Sequence, residues 1–132
     1  MKLIKKIVII EDDLFLQDFY KMFFKKIGGE IVILENADEI LHIINSGDID
    51  LIIMDINLRN TFLHSQRVDG IKFSRYIKEK FPHLHIPIIL ITAYPIENYG
   101  KNLLEDSLAD DYLVKPITDY NKLVDKINKL VL

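Results

Sequence analysis

The sequence contains no cysteine. This absence excludes disulfide bonds, thiolate metal sites and cysteine nucleophiles, and it agrees with a reducing compartment. An excess of charge of one sign is also lacking, because 17 basic and 20 acidic residues leave a net charge of −3. A chain without a basic excess has no electrostatic footprint for nucleic acid. We therefore expect neither a disulfide scaffold nor direct binding of nucleic acid.

Long hydrophobic runs are missing from the N-terminus. Lys5 and Lys6 interrupt the apolar residues there, and the run at residues 7–10 ends at Glu11. A signal peptide needs an apolar core of roughly 7–15 residues, and a membrane-spanning helix needs about 20. The expectation is therefore a cytoplasmic protein that does not associate with membranes.

The chain does contain enough apolar material for a core, since 49% of its 132 residues are hydrophobic. That length suits one domain, and no linker, low-complexity tract or internal repeat divides it. We therefore expect residues 1–132 to form a single domain.

Short apolar runs alternate with longer segments of helical period. The runs at 51–54 and 86–91 are apolar at every position, which is typical of strands buried on both faces of a parallel sheet. Helices between such strands form βαβ units, so the sequence predicts an α/β fold with a five-stranded parallel sheet. The predicted strands are 7–10, 31–34, 51–54, 86–91 and 112–114; the predicted helices are 14–27, a short one between Asn36 and Gly47, one from 69–70 to 81, a weak one at 96–108, and a last one capped by Thr118 or Asp119.

Polar residues stand where four of the five predicted strands end. Three acids, residues 11–13, follow the first strand, Asp55 follows the third, Thr92 the fourth and Lys115 the fifth. Parallel strands bring their carboxyl ends to one edge of the sheet, and binding sites of such folds lie outside that edge. The sequence therefore predicts that these side chains share a small volume.

The residue types at this edge point to a particular chemistry. Clustered carboxylates repel one another unless a cation or a proton compensates them. Their oxygens suit Mg²⁺, which keeps several waters and is often completed by a phosphate. A lysine and a threonine hydroxyl can bind phosphoryl oxygens, and an aspartate can act as the nucleophile that forms an aspartyl phosphate. The cluster therefore indicates a phosphoryl-transfer site.

In this order, the acids after the first and third strands, Thr92-Ala93 and Lys115-Pro116 resemble a response-regulator receiver domain of two-component signalling. The resemblance covers about residues 7–131 and includes the string ADDYLVKP at 109–116. It implies a flavodoxin-like (CheY-like), doubly wound (βα)5 fold with strand order 2-1-3-4-5. It also implies Mg²⁺ as cofactor, and a phosphorylation-regulated signalling switch rather than an enzyme.

The resemblance assigns metal ligands to the acidic edge. Asp12 would bind Mg²⁺ directly and Glu11 through water. Asp55 would also be a ligand, and Asn57 would contribute its backbone carbonyl. Asp13 falls just past the acidic pair, where an acid favours the N-terminus of the next helix.

The resemblance also makes Asp55 the phosphoacceptor. Thr92 would donate a hydrogen bond to a phosphoryl oxygen, and Lys115 would pair with the same group. Thr92 and Tyr112 would move inward on phosphorylation and form the switch, although an aromatic residue in a short strand can also be ordinary packing. The bond between Lys115 and Pro116 is expected to be cis.

A histidine kinase or a phosphotransfer protein is the implied donor of the phosphoryl group. A downstream protein target is expected to bind the face formed by residues 96–131, and a phosphorylation-dependent dimer is one form of such a contact. Because the sequence ends after the last predicted helix, we expect no output domain, so the signal would leave through protein contacts or onward phosphoryl transfer.

Two other functions stay open. A receiver-like binding module that is never phosphorylated would share the same fold. An aspartate-nucleophile phosphatase on a similar sheet usually has a second aspartate two residues after the nucleophile, and here that position is Asn57. Any one of the acids at the strand ends, taken alone, can also be an ordinary solvated surface residue.

The stretch after Asp55 departs from the family pattern. Arg59 stands where the family usually has proline, and Asp69-Gly70 arrives later than usual. The inserted residues, 60–68, are expected to be a loop. Such a loop either covers or gates the site or is a harmless surface excursion.

Overall fold

A computed structural model describes residues 6–93 and 102–131 of the chain. Its main sheet consists of β1 (Lys6–Ile10), β2 (Glu30–Leu34), β3 (Leu51–Asp55), β6 (Ile88–Thr92) and β7 (Asp111–Val114). All neighbouring strands are parallel and follow the order β2-β1-β3-β6-β7. Since β6 and β7 are the fourth and fifth strands of this sheet, the predicted order 2-1-3-4-5 is confirmed.

The helices begin where capping side chains accept hydrogen bonds from the first free backbone N–H groups. Asp13, Asn36 and Asp69 do so for the first three helices. Asp119 accepts from two N–H groups of the last helix, so of the two predicted caps it is Asp119 rather than Thr118 that binds them. The helices are α1 (Leu14–Ile27), α2 (Ala37–Ser46), α3 (Gly70–Lys80), α4 (Leu103–Ser107) and α5 (Tyr120–Val131).

The fourth predicted strand and the fourth predicted helix differ in extent from the structure. The strand is shifted towards its C-terminus, from 86–91 to Ile88–Thr92. The weak helix at 96–108 corresponds to the short α4, and residues 94–101 of that region lie outside the described part of the chain. No helix among the described residues is long and apolar enough to span a membrane.

The sheet separates two hydrophobic clusters. Successive side chains of a strand point to opposite faces, so Val8 and Ile10 join the cluster beneath α2 and α3. Ile7 and Ile9 join the cluster beneath α1 and α5. Every residue of β3 and β6 is buried, which explains why residues 51–54 and 88–91 are apolar at every position.

Helix α1 turns much of its apolar surface outwards. Tyr20, Phe23 and Phe24 are its buried residues, whereas Phe15 is 86% and Met22 65% exposed. Helical spacing in the sequence shows that α1 carries many apolar residues, but it does not show which of them face the sheet. The outward residues therefore form a surface with no partner among the described residues.

The insertion is a β-hairpin rather than a loop without structure, so that expectation is wrong. β4 (Phe62–Leu63) pairs antiparallel with β5 (Gln66–Arg67). His64 and Ser65 between them have φ values of 51° and 66°, and positive φ at both central residues is the mark of a tight type I′ turn. Because neither residue is glycine or asparagine, the usual sequence signal for such a turn is missing.

After the hairpin insertion the chain returns to the end of β3. The carbonyl oxygen of Ile56 accepts hydrogen bonds from the N–H groups of Leu58 and Gly70. Gly70 packs so closely on β3 that a Cβ there would collide with the backbone carbonyl of Asp55. The extra residues therefore leave the junction between β3 and α3 intact.

Candidate functional site

Three acids meet at the carboxyl edge of the sheet. Ile10 pairs in register with Met54, so Glu11 follows β1 beside Asp55, the last residue of β3. One carboxylate oxygen from each of Glu11, Asp12 and Asp55 lies within 4.8 Å of the others. The parallel arrangement therefore brings together the acids that the sequence predicted to meet.

Lys115 reaches this acidic group from the end of β7. Its Nζ atom lies 3.0 Å from Asp55 Oδ2 and 3.9 Å from Glu11 Oε1. Its backbone N–H donates to the carbonyl of Thr92 at 2.7 Å, and the bond to Pro116 is cis, as expected. One ammonium thus neutralises part of the charge of the three carboxylates.

Glu11 is the most deeply buried acid of the site, at 2% exposure. Neither of its side-chain oxygens has a hydrogen-bond partner among the described residues. Burial raises the pKa of Glu11 to about 9, Asp55 contributes in the same direction, and Lys115 opposes both. Burial therefore favours the protonated form of Glu11 when no cation is bound.

These groups fit a magnesium ion. Three carboxylates at the end of a sheet supply the oxygen donors that Mg²⁺ prefers, and the oxygens of Glu11 accept no hydrogen bond in the described part of the chain. The backbone N–H of Asn57 donates to Asp55 Oδ1 at 3.2 Å, which places this residue beside the acids. The role predicted for the Asn57 carbonyl stays a prediction.

Thr92 and Tyr112 occupy the neighbouring strands. Asp55 pairs with Ile91 in register, so the buried Thr92 lies one residue beyond that pair, at the same edge. Tyr112 is half-buried in β7, and Lys126 Nζ lies 5.7 Å from the centre of its ring. The movement predicted for these two residues stays a prediction.

Two residues near the site carry no motif in the sequence. Tyr20 is buried in α1, and the nearby charges of Glu11 and Asp55 add to the effect of burial in raising its pKa. Arg59 donates its backbone N–H to Asp12 Oδ2 at 3.1 Å. Both positions depend on how distant segments pack. For Tyr20 the sequence does offer one signal, because it stands four residues after the inward-facing Leu16 on the inner face of α1.

A family model described as the response regulator receiver domain matches residues 7–128. The chain belongs to the response regulator receiver domain family. Receiver domains of two-component systems take phosphoryl groups from histidine kinases and pass the signal to downstream targets. They are phosphorylation-regulated switches that bind Mg²⁺ in the active site, where this chain has its acidic cluster.

Relatives of this receiver domain include proteins of different length. The polar-differentiation response regulator DivK of Brucella anthropi is 25% identical over 86% of this chain and 86% of its own length. The CAI-1 autoinducer sensor kinase/phosphatase CqsS of Vibrio cholerae and the response regulator FleR of Pseudomonas aeruginosa are each 29% identical, over 93% and 84% of this chain. The chain spans only 17% of the length of CqsS and 21% of that of FleR.

Solved receiver domains share the fold. The CheY-like receiver domain from Methanospirillum hungatei superposes with a TM-score of 0.75 at 26% identity, covering 96% of this chain and 93% of that one. The receiver domain of the sensor histidine kinase PA1611 from Pseudomonas aeruginosa superposes with a TM-score of 0.77 at 21% identity, with 96% of each chain covered. That second structure has a magnesium ion coordinated in its active site cleft.

Proposed function

We propose that this receiver domain is a Mg²⁺-dependent phosphoacceptor that takes a phosphoryl group on Asp55. The donor is a phosphohistidine of a histidine kinase or a phosphotransfer protein. The observation that supports this most is the position of Asp55 between two other acids and Lys115, whose Nζ atom lies 3.0 Å from Asp55 Oδ2. This is the charge balance that a phosphoryl-transfer site requires.

The reaction assigns a role to each side chain. A carboxylate oxygen of Asp55 attacks phosphorus as the phosphorus–nitrogen bond of the donor breaks, and the electron pair of that bond stays on the imidazole nitrogen. Glu11, Asp12 and Asp55 would hold Mg²⁺, with the Asn57 carbonyl beside them. When bound, the ion supplies positive charge that offsets the carboxylates and the transferring group. Lys115 and Thr92 bind the phosphoryl oxygens of the product.

The output of the switch leaves through the face around β7 and α5. Lys126 binds the carboxylate of Asp111, at 3.0 Å from Oδ1 and 3.1 Å from Oδ2, and lies over Tyr112. Thr92 moving towards a phosphoryl group would draw Tyr112 after it and change this surface. A downstream protein, or a second phosphorylated copy, would bind the changed face within residues 96–131.

The donor protein would dock on the outer surface of α1. This α1 face consists of Leu14, Phe15, Phe19, Met22 and Tyr120, and four of these five are exposed apolar residues. Phe15 and Phe19 also line a groove with Lys115 and Pro116, so the surface reaches the site itself. Exposed apolar patches of this kind mark protein contacts, and a donor must bind close enough to deliver its histidine to Asp55.

The experiment that tests the proposed function is incubation with acetyl phosphate and Mg²⁺, followed by intact mass spectrometry. The expected result is a gain of one phosphoryl group that is lost in Asp55→Asn and when Mg²⁺ is chelated. Asp18→Asn, which removes an exposed acid of α1, is the matched control and should keep the gain. If the unmodified protein gains no mass, a binding module that works without phosphorylation is the better explanation.

A further inference from the structure

The residue immediately before the hairpin insertion bonds to the acidic site. The backbone N–H of Arg59 donates a hydrogen bond to Asp12 Oδ2 at 3.1 Å, although the two residues are 47 positions apart. The family pattern usually has proline at this position, and proline has no N–H to donate. The contact therefore depends on the residue that stands immediately before the insertion.

Buried neighbours hold Arg59 in place on both sides. Leu58, immediately before it, is buried in the core, and its N–H donates to the Ile56 carbonyl at 3.0 Å. Thr61, two residues after it, is 1% exposed. The Thr61 hydroxyl donates to the Glu35 carbonyl at 2.9 Å, and its own carbonyl accepts from Val68 at 3.0 Å. The direction of the Arg59 N–H is therefore set by the packing of the insertion.

Asp12 is restrained from the other side by its own segment. The next residue, Asp13, caps α1 by accepting hydrogen bonds from the N–H groups of Phe15 and Leu16. The preceding residue, Glu11, is buried. Within a backbone held by these two neighbours, the bond from Arg59 restrains one oxygen of the Asp12 carboxylate.

We propose that the Arg59 backbone N–H, held by the Leu58 and Thr61 anchors, is a positioning group for the metal-binding carboxylate of Asp12. The hairpin insertion thereby strengthens the affinity of the site for Mg²⁺. A hydrogen bond to an ionised oxygen is stronger than a neutral one, and a ligand that is already oriented loses less freedom when the metal binds. This inference rests on the proposed function, because it takes Asp12 as a Mg²⁺ ligand.

Calorimetric titration of Mg²⁺ into two variants of the same residue tests the proposal. Arg59→Pro removes the N–H and the side chain, whereas Arg59→Ala removes the side chain alone. We expect Arg59→Pro to weaken Mg²⁺ binding by about tenfold, the lower end of what the loss of a partner to a metal ligand costs. Arg59→Ala keeps the N–H and should therefore bind Mg²⁺ more tightly than Arg59→Pro. Thr61→Val, which keeps the shape but loses the hydroxyl, should weaken binding in the same direction by a smaller factor.

Equal affinities for Arg59→Pro and Arg59→Ala, with clear binding by the unmodified protein, would overturn the positioning role alone. A complete lack of Mg²⁺ binding by the unmodified protein would overturn the proposed function together with this inference.

A second measurement does not depend on whether Arg59→Pro folds. Amide exchange of the Arg59 N–H is compared by NMR between the unmodified protein and Asp12→Ala. Faster exchange in Asp12→Ala supports the bond, while an unchanged rate contradicts it. The amide of Lys72, bonded to Asp69 at 2.8 Å, is the internal reference and should not change.

Discussion

Glu11 carries a carboxyl group that the fold buries without giving it a hydrogen-bond partner in the described part of the chain. Burial raises its pKa from an ordinary value of 4.5 to about 9. The folded protein therefore keeps a proton that the unfolded chain releases at much lower pH. Between these two pKa values the contribution of Glu11 to folding stability falls as pH rises.

Glu11→Gln should therefore stabilise the metal-free protein. The amide stays neutral at every pH, so the variant should melt a few degrees higher than the unmodified protein near pH 8, given that about 1 kcal/mol shifts a small domain by roughly 4–8 °C. The difference should grow from pH 5 to pH 9, as the raised pKa requires. Thermal melts in the presence of a chelator, followed by circular dichroism, give the measurement. A difference that shrinks as pH rises would contradict the assignment.

Gly70 is a second position where a single atom matters. Alanine is a better helix former than glycine, so Gly70→Ala at the first residue of α3 would ordinarily be neutral or stabilising. Here the added Cβ meets the Asp55 carbonyl, so we expect the free energy of unfolding to fall by about 1–3 kcal/mol instead. Urea unfolding measures this change. Lys72→Ala on the same helix is the control and should stay close to the unmodified protein; a stabilised Gly70→Ala would show that the contact is looser than described.

Helix α1 combines two roles in one element. Its inner side supplies Tyr20, Phe23 and Phe24 to the core, while its outer side stacks Phe19 on Tyr120 of α5, with ring centres 5.5 Å apart. An aromatic pair at the edge of an apolar surface is well suited to bind another protein. The proposed docking of the phosphohistidine donor belongs to this outer side.

Phe15→Ser should separate docking from chemistry. We expect phosphoryl transfer from a phosphorylated histidine protein to slow by about tenfold, as the loss of a central contact residue does. Transfer from acetyl phosphate should be unchanged, because that donor needs no docking surface. Rates are measured by the appearance of phosphorylated protein in intact mass spectra. The control is Phe62→Ser, which alters an exposed Phe of the hairpin; equal effects on both donors would place Phe15 in the chemistry instead.

The whole molecule assembles the site from segments that are far apart in the sequence. Asp55 and Lys115 are 60 positions apart, and their side chains meet only because β3 and β7 lie on the same sheet with β6 between them. An unfolded chain offers no such arrangement of oxygens. A metal that binds this edge must therefore bind the folded state in preference to the unfolded one.

Mg²⁺ should raise the melting temperature of the protein in a concentration-dependent manner. At a free Mg²⁺ concentration of about 100 times the dissociation constant, the free energy of unfolding rises by roughly 2.7 kcal/mol. Asp12→Asn should show a much smaller rise, since it weakens one oxygen ligand and keeps the shape. Differential scanning calorimetry at constant ionic strength provides the test, and equal shifts in both proteins would place the ion elsewhere.

Much of the fold was predictable because it depends on neighbours in the sequence. Apolar runs identified the strands of the main sheet, and the polar residues that follow them identified Glu11, Asp12, Asp55 and Lys115 as neighbours in space. The hairpin was not predicted, since its turn uses His64 and Ser65 instead of glycine.

Local pattern alone therefore determined the approximate positions of the five strands of the main sheet and of most helices, and which chemistry lines up at the carboxyl edge. Only the tertiary structure decided that Glu11 is buried, that α1 turns Phe15 outwards, and that the N–H of Arg59 reaches Asp12. The physical reason is that periodicity and caps arise from residues a few positions apart. Burial and long-range hydrogen bonds depend instead on which surfaces the folded chain brings together.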